Sequence, residues 1–456
     1  MSSQDTIVAL STPPGRSGIG IVRLSGACSL EATRSLVQDK TFTPEPNHAV
    51  LRKLYDPSSH EVLDHALITY FKSPRSFTGE DVVELSCHGS PVLLRSLIDI
   101  VLKFDIRLAG PGEFTLRALA NGQLNLVQAE AIRDLINAQT RAAAQQATRQ
   151  FEGEMSALLQ PAKDFLLNII VPLESSLEFV EDDLPEIAFR EIKTNLSNLI
   201  NQVTGISSTF SAGRLLREGL KVTLAGRPNV GKSSLFNSLV ELDRAIVTDI
   251  PGTTRDSLSE TVSLQGVPVL LTDTAGLRVS EDIIESLGVE RTRRIIADAD
   301  LVIVIIDGSQ PLMTEDREIL IDMADKPHII AINKCDLLSF EHNGLDLKDE
   351  KASAIVNVSA KTRAGLDLLC TAILEPYAAY DTSYTGLFIT NARHFDLLQR
   401  ATAALRGSLN LLEERASEEL VLVGLYDALR FLGEITGETT PDDVLSQIFA
   451  TFCIGK

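Results

Sequence analysis

The sequence predicts a multidomain α/β protein: an N-terminal α+β part, then an all-α helical part, with an α/β domain inserted within the helical one. Three observations predict it. At 456 residues the chain exceeds one ordinary core. Its first quarter alternates β-rich runs with turn clusters, and the next stretch is rich in helix formers. From Leu220 onward, short apolar runs alternate with amphipathic helices before the chain turns helical again.

Residues 1–118 form the α+β part. Ile19–Leu24 and Val82–Leu85 read as strands, Thr12–Gly15 as a turn and Pro91–Phe104 as a helix. Residues 119–212 begin the helical part, because Ala, Gln, Arg and Leu recur at helical spacing from Val127 to Ser211. Residues 213–380 hold the α/β domain, with strands at Lys221–Ala225, Val267–Leu271, Leu301–Ile306, His328–Ile332 and Ile355–Val358. Such alternation suits a sheet with helices on both faces. Residues 381–456 are helical again at His394–Ser417 and Glu419–Thr436, so the economical arrangement packs the two helical parts together.

With 62 acidic against 42 basic residues the formal charge is -20, which opposes non-specific attraction to nucleic acid. Any RNA contact is therefore expected to be local or shared with a partner. Cys28, Cys87, Cys335, Cys370 and Cys453 lie far apart, without the spacing of a zinc or redox pair, and read as reduced thiols. No apolar run is long enough to span a bilayer, and the first residues lack the pattern of a secretory signal. The expected location is cytoplasmic, away from membranes.

Gly226-Arg-Pro-Asn-Val-Gly-Lys-Ser233 follows a strand and opens a helix, the context of a phosphate-binding loop. Asn229, Val230 and Gly231 would turn backbone amides toward phosphates, with the helix N-terminus adding positive potential. Lys232 would reach the β- and γ-phosphates, Ser233 would ligate magnesium, and Ser234 follows in the same turn. Asp273, Thr274, Ala275 and Gly276 end another strand, placing a carboxylate near the magnesium and the Gly276 amide near the γ-phosphate. Asn333, Lys334 and Asp336, in Asn333-Lys-Cys-Asp336, follow a further strand. The Asp336 carboxylate can accept from guanine's ring N–H and exocyclic amine, a donor pair that adenine lacks. Ser359, Ala360 and Lys361 follow the last strand, where their amides suit the guanine carbonyl. Together these motifs predict an inserted P-loop, Ras-like α/β GTPase domain that prefers GTP over ATP. Leu277 stands where many small GTPases place a water-orienting glutamine. Arg255, Arg278 and Arg291 lie nearby in sequence, and each reads as a surface or structural residue.

With Thr248-Asp-Ile-Pro-Gly-Thr-Thr-Arg-Asp256, Asp273-Thr-Ala-Gly-Leu-Arg278, Ser73–Leu85 and the final Cys453-Ile-Gly-Lys456, the chain resembles the MnmE (TrmE) family of tRNA-modification GTPases. The resemblance implies GTP-binding roles for Thr248, Asp249, Ile250, Pro251, Gly252, Thr253 and Thr254. It implies a potassium ion held by Asn229, Thr248, Ile250 and Thr253, and magnesium held by Ser233 and Thr254. Glu285 would orient the catalytic water. The N-terminal domain would be folate-binding-like and mediate dimerisation, with Arg23, Glu80, Gln123 and Lys456 on a formyl-tetrahydrofolate; Gln123 stands where the family often has lysine. The implied partners are a second copy of the chain, tRNA and the FAD-dependent MnmG (GidA), in a heterotetramer or larger complex. The implied reaction adds aminomethyl or carboxymethylaminomethyl groups at carbon 5 of the wobble uridine. A ribosome-assembly GTPase of the same superfamily is the alternative, although no basic RNA-binding module is evident. A non-hydrolysing GTP-dependent scaffold is a third reading, suggested by Leu277.

Overall fold

The computed structural model describes residues 5–178, 186–242, 259–273, 295–340, 351–375, 386–438, 448–449, 451–453 and 455. The chain divides into two compact units. One comprises Met1–Arg133, Phe151–Ser156 and Leu432–Lys456, and the other comprises Asp134–Gln150 and Ala157–Phe431.

The first unit holds a sheet of β1 (Thr6–Leu10), β2 (Ser17–Ser25), β3 (Ala49–Tyr55), β4 (Val62–Phe71), β5 (Val82–Gly89) and β6 (Ile106–Leu108). Their order is β3-β4-β5-β2-β1-β6. Only the β1–β6 pair is parallel. Period-two patterning sets the faces: in β2, Gly20, Val22 and Leu24 are buried while Ile21 and Arg23 are half-buried on the other side. Helices Ser29–Val37 and Pro91–Val101 cover the inner face, where Val22, Leu24, Leu36, Ile68, Leu85 and Leu97 form the core. Gly20 lets the second helix approach, since a Cβ there would lie 2.4 Å from Leu94 Cδ1. That helix opens with Pro91 and ends at Val101, short of the expected Phe104, because Lys103 and Phe104 donate to Ile100 and Val101 in a tightening turn.

The second unit holds β7 (Leu220–Ala225), β8 (Ser259–Leu264), β9 (Val267–Asp273), β10 (Leu301–Asp307), β11 (His328–Asn333) and β12 (Ala354–Asn357). Their order is β12-β11-β10-β7-β9-β8. All neighbours are parallel except the β8–β9 hairpin. Its turn residues Gln265 and Gly266 both have positive φ, 50° and 87°, as a tight two-residue hairpin requires. Every residue of β10 and β11 is buried, so helices must cover both faces. Leu235, Phe236 and Leu239 of helix Lys232–Leu242 pack on one face together with Leu366, Leu369 and Ile373. Leu320 and Met323 of helix Thr314–Met323 pack on the other.

Helices Glu186–Ser208 and Ala392–Glu413, from before and after this sheet in the chain, pack against each other. Phe210, which opens the next helix, Phe210–Glu218, stacks on Phe395 with centroids 4.2 Å apart. Burial pushes the Cys87 thiol up to about 12 and that of Cys370 to about 11, and all five cysteines are free, as expected for reduced thiols. Among the described residues no helix is long and apolar enough to cross a membrane.

Candidate functional site

The strand order of the second unit reverses at β7, which pairs with β9 on one side and β10 on the other. Ligands of open α/β sheets bind outside the carboxyl ends of strands at such a reversal. The loop Gly226–Gly231 leaves β7 at that end and leads into helix Lys232–Leu242. Asn229 takes φ 66° and Gly231 φ 99°, so the backbone turns twice within three residues. At Gly231 the missing side chain matters most, because a Cβ would lie 2.3 Å from Asn333 Nδ2. Lys232 is buried, and its Nζ donates to the carbonyls of Gly226 and Arg227, both at 2.8 Å. Its ammonium therefore sits across the loop that a phosphate would enter.

Ser233 Oγ donates to Asp273 Oδ2 at 2.8 Å, and Asp273 is fully buried at the end of β9. A hydroxyl and a carboxylate meeting next to the Gly226–Gly231 turn form an oxygen-only donor set that fits a hard divalent cation. Ser234 is exposed.

The residues expected to read the base converge from the ends of β11 and β12. Asn333 is buried, its Nδ2 donating to Val230 O at 2.8 Å and its Oδ1 accepting from the Ala360 amide at 3.1 Å. It thus clamps the phosphate loop to the Ser359–Lys361 loop. Ser238 Oγ adds a second tie, donating to Ala360 O at 2.7 Å. Asp336 is exposed, and its Oδ1 accepts from Ser359 Oγ at 2.7 Å. That hydrogen bond holds its carboxyl below the usual range. Lys361 is exposed beside it. Asn229, Val230, Gly231, Lys232, Ser233, Ser234, Asp273, Asn333, Lys334, Asp336, Ser359, Ala360 and Lys361 thus lie on adjoining loops of one domain. Thr248, Asp249, Ile250, Pro251, Gly252, Thr253, Thr254, Thr274, Ala275, Gly276 and Glu285 lie outside the described residues, as do Leu277, Arg255, Arg278 and Arg291.

Two residues that motif reading did not reach hold this site. Asp307, the last residue of β10, accepts from Lys334 Nζ at 2.6 Å. Asp316 accepts from Arg227 Nε at 3.2 Å, fixing the start of the phosphate loop. The available signal for Asp307 was a carboxylate ending an otherwise apolar strand.

In the first unit, Glu80 accepts from Ser25 Oγ at 2.6 Å and from Arg117 Nη1 at 3.1 Å. Arg23 is held by Glu84 at 2.7 Å and approaches Gly455 O at 3.4 Å. Gln123 is exposed, with its Nε2 beside Gly79; Lys456 lies outside the described residues. Glu80 keeps lone pairs for further donors, so the oriented carboxylate fits a pterin's N–H groups, and the nearby Arg23 suits an anionic tail. Sequence reading missed the network behind Glu80, in which Arg117 also binds Asp5 and Glu113, and Arg107 binds both of these. Its members come from residues 5 to 117 and form no motif.

Burial alone would raise the Glu113 carboxyl, but Arg107, the Gly110 amide and Arg117 reverse this and lower it to about 2. A depressed carboxylate stabilises the fold above its unfolded value near 4.5 and loses that contribution as pH falls toward about 2. The stability difference between the natural chain and Glu113→Gln is therefore expected to be largest above pH 5 and to shrink through that window. Thermal melts at stepped pH check this, and a difference that grows on acidification contradicts it.

Comparisons with known proteins agree with these motifs. The family profile described as "MnmE helical domain" matches residues 126–453, and "GTP-binding protein TrmE N-terminus" matches residues 6–123. The tRNA modification GTPase MnmE of Koribacter versatilis is 44% identical, covering 100% of both chains. That of Aquifex aeolicus is 42% identical, covering 99% of this chain and 100% of its own. Among solved structures, the G domain of the T. maritima FeoB iron transporter covers 35% of this chain and 98% of its own at 29% identity, with a TM-score of 0.25. The strand order, not that likeness, carries the fold.

Proposed function

We propose that this chain, which belongs to the MnmE (TrmE) family of tRNA modification GTPases, uses GTP turnover to drive modification of tRNA at carbon 5 of the wobble uridine. It is a GTP hydrolase. The observation that carries the reading is the Asn333 clamp, which brings the phosphate loop and the guanine-reading loop to one place.

Within that reading, Lys232 binds the β- and γ-phosphates, and Ser233 with Thr254 holds magnesium while Asp273 orients Ser233. Magnesium supplies charge neutralisation for the phosphates when bound. Asp336 selects guanine, with Ser359, Ala360 and Lys361 on its carbonyl. By the resemblance, Asn229, Thr248, Ile250 and Thr253 would hold potassium, which would supply the positive charge that other GTPases take from an arginine. Leu277 cannot orient water, and the resemblance to the family assigns that role to Glu285. Asp249, Ile250, Pro251, Gly252 and Thr253, with Thr274, Ala275 and Gly276, are the further GTP-binding residues that the motifs and the family resemblance imply. Arg23, Glu80, Gln123 and Lys456 form a formyl-tetrahydrofolate site in the N-terminal domain. The working assembly is a cytoplasmic homodimer joined by MnmG, whose flavin chemistry acts on the tRNA. GTP-dependent approach of paired nucleotide domains supplies the switch.

Turnover measured in potassium and in sodium chloride at equal ionic strength tests the cation reading. Faster hydrolysis in potassium is expected, and equal rates in both salts contradict it. Glu285→Ala is expected to lower kcat by on the order of a hundredfold, as for loss of a group that positions or activates water, with GTP affinity nearly unchanged. Parallel loss of both parameters removes Glu285 from that role.

A further inference from the structure

We propose that Asp307 is a positioning residue for guanine-nucleotide binding, holding the loop Asn333–Asp336 in its binding pose through Lys334. The proposal rests on the reading of that loop as the base-recognising one.

Asp307 ends β10 and is only 3% exposed. The parallel β10–β11 register sets it opposite Asn333, and the Gly308 amide donates to Asn333 O at 2.9 Å. Its two carboxylate oxygens have separate tasks. Oδ1 accepts from Ser309 Oγ at 2.6 Å and the Ser309 amide at 3.0 Å, which fixes the side chain's rotation. Oδ2 then faces Lys334, whose ammonium donates to it at 2.6 Å.

Lys334 needs such a restraint. Its φ of 68° is left-handed, an uncommon conformation for a residue with a long side chain. It also stands between two residues anchored elsewhere: Asn333 on Val230 and Ala360, and Asp336 on Ser359. Relaxation at Lys334 would alter the spacing between the clamp and the base-reading carboxylate. The side chain is about one-third exposed, so without Asp307 the ammonium would move into water among many rotamers. Asp307 lies in neither the Ser233–Asp273 contact nor the Lys232 contacts. Its effect therefore falls on affinity and not on the chemical step.

The test uses the full chain with a fluorescent GDP analogue, and GTP turnover at saturation, for Asp307→Asn, Lys334→Gln and the double variant. Asp307→Asn is expected to weaken the analogue about tenfold while kcat stays within about twofold. If Asp307 acts through Lys334, the double variant binds no more weakly than Lys334→Gln alone. Wild-type affinity in Asp307→Asn, losses that multiply in the double variant, or a fall confined to kcat would each overturn the proposal. Should Asp307→Asn fail to fold, Ser309→Ala removes the hydroxyl from the other carboxylate oxygen, leaving it only the Ser309 amide, and is expected to weaken the analogue severalfold; unchanged affinity there overturns it equally. Asp336→Asn run in parallel separates the underlying reading: if it leaves GTP binding intact, the loop does not read the base, whatever Asp307→Asn does.

Discussion

Asp336→Asn is expected to weaken GTP binding by on the order of a hundredfold or more and to shift preference toward XTP. The carboxylate can accept from guanine's ring N–H and exocyclic amine together, whereas an amide presents one acceptor and a donor that meets the amine. Xanthine carries a carbonyl in place of that amine, so the new donor finds a partner. Ser359 Oγ, 2.7 Å from Oδ1, fixes the side chain in either form, and the same hydrogen bond holds the natural carboxyl below its usual range. The phosphate contacts are separate, so the loss belongs to the base. Competition titrations with GTP, XTP and ATP check the shift, and unchanged selectivity would remove Asp336 from base reading.

Gly231→Ala is expected to weaken nucleotide binding by about thirtyfold or more without unfolding the chain. At φ 99° any side chain is strained, and its Cβ would meet Asn333 Nδ2 at 2.3 Å. That amide is buried and donates to Val230 O, so the methyl group breaks the clamp between the two loops. Left-handed strain and one lost buried hydrogen bond together cost roughly 2–4 kcal/mol, about thirtyfold or more in affinity. Calorimetric titration with GDP measures the loss, and circular dichroism verifies the retained fold. Near-normal affinity would contradict the clamp.

Much of this could be read in the sequence, for identifiable reasons. β10 and β11 are buried on both faces and appear as nearly unbroken apolar runs, and β7 is buried except at Lys221; each is followed closely by residues of the candidate site. The phosphate and base motifs are linear, because backbone amides at a strand end must come from adjacent residues. β3 was harder to see, since Ala49, Leu51, Arg52 and Lys53 are exposed and only Leu54 is fully buried. β8 carries Ser259, Glu260, Thr261 and Ser263 on a sheet edge, and gave no apolar run to notice. The charge network behind Glu80 was illegible for a different reason. Asp5, Arg107, Glu113 and Arg117 become neighbours only when β1 and β6 pair and the following helix folds back. Asp307 falls between these cases, next to Asn333 in the sheet but 26 positions away in sequence, as the count from 307 to 333 gives.

The most direct test of the central claim is nucleoside mass spectrometry of tRNA from a strain lacking this gene, with and without a plasmid-borne copy. Loss of the carboxymethylaminomethyl and aminomethyl uridines, and their return on complementation, is the expected result. Unchanged uridines with accumulation of unassembled ribosomal subunits would contradict it and place this GTPase in ribosome assembly.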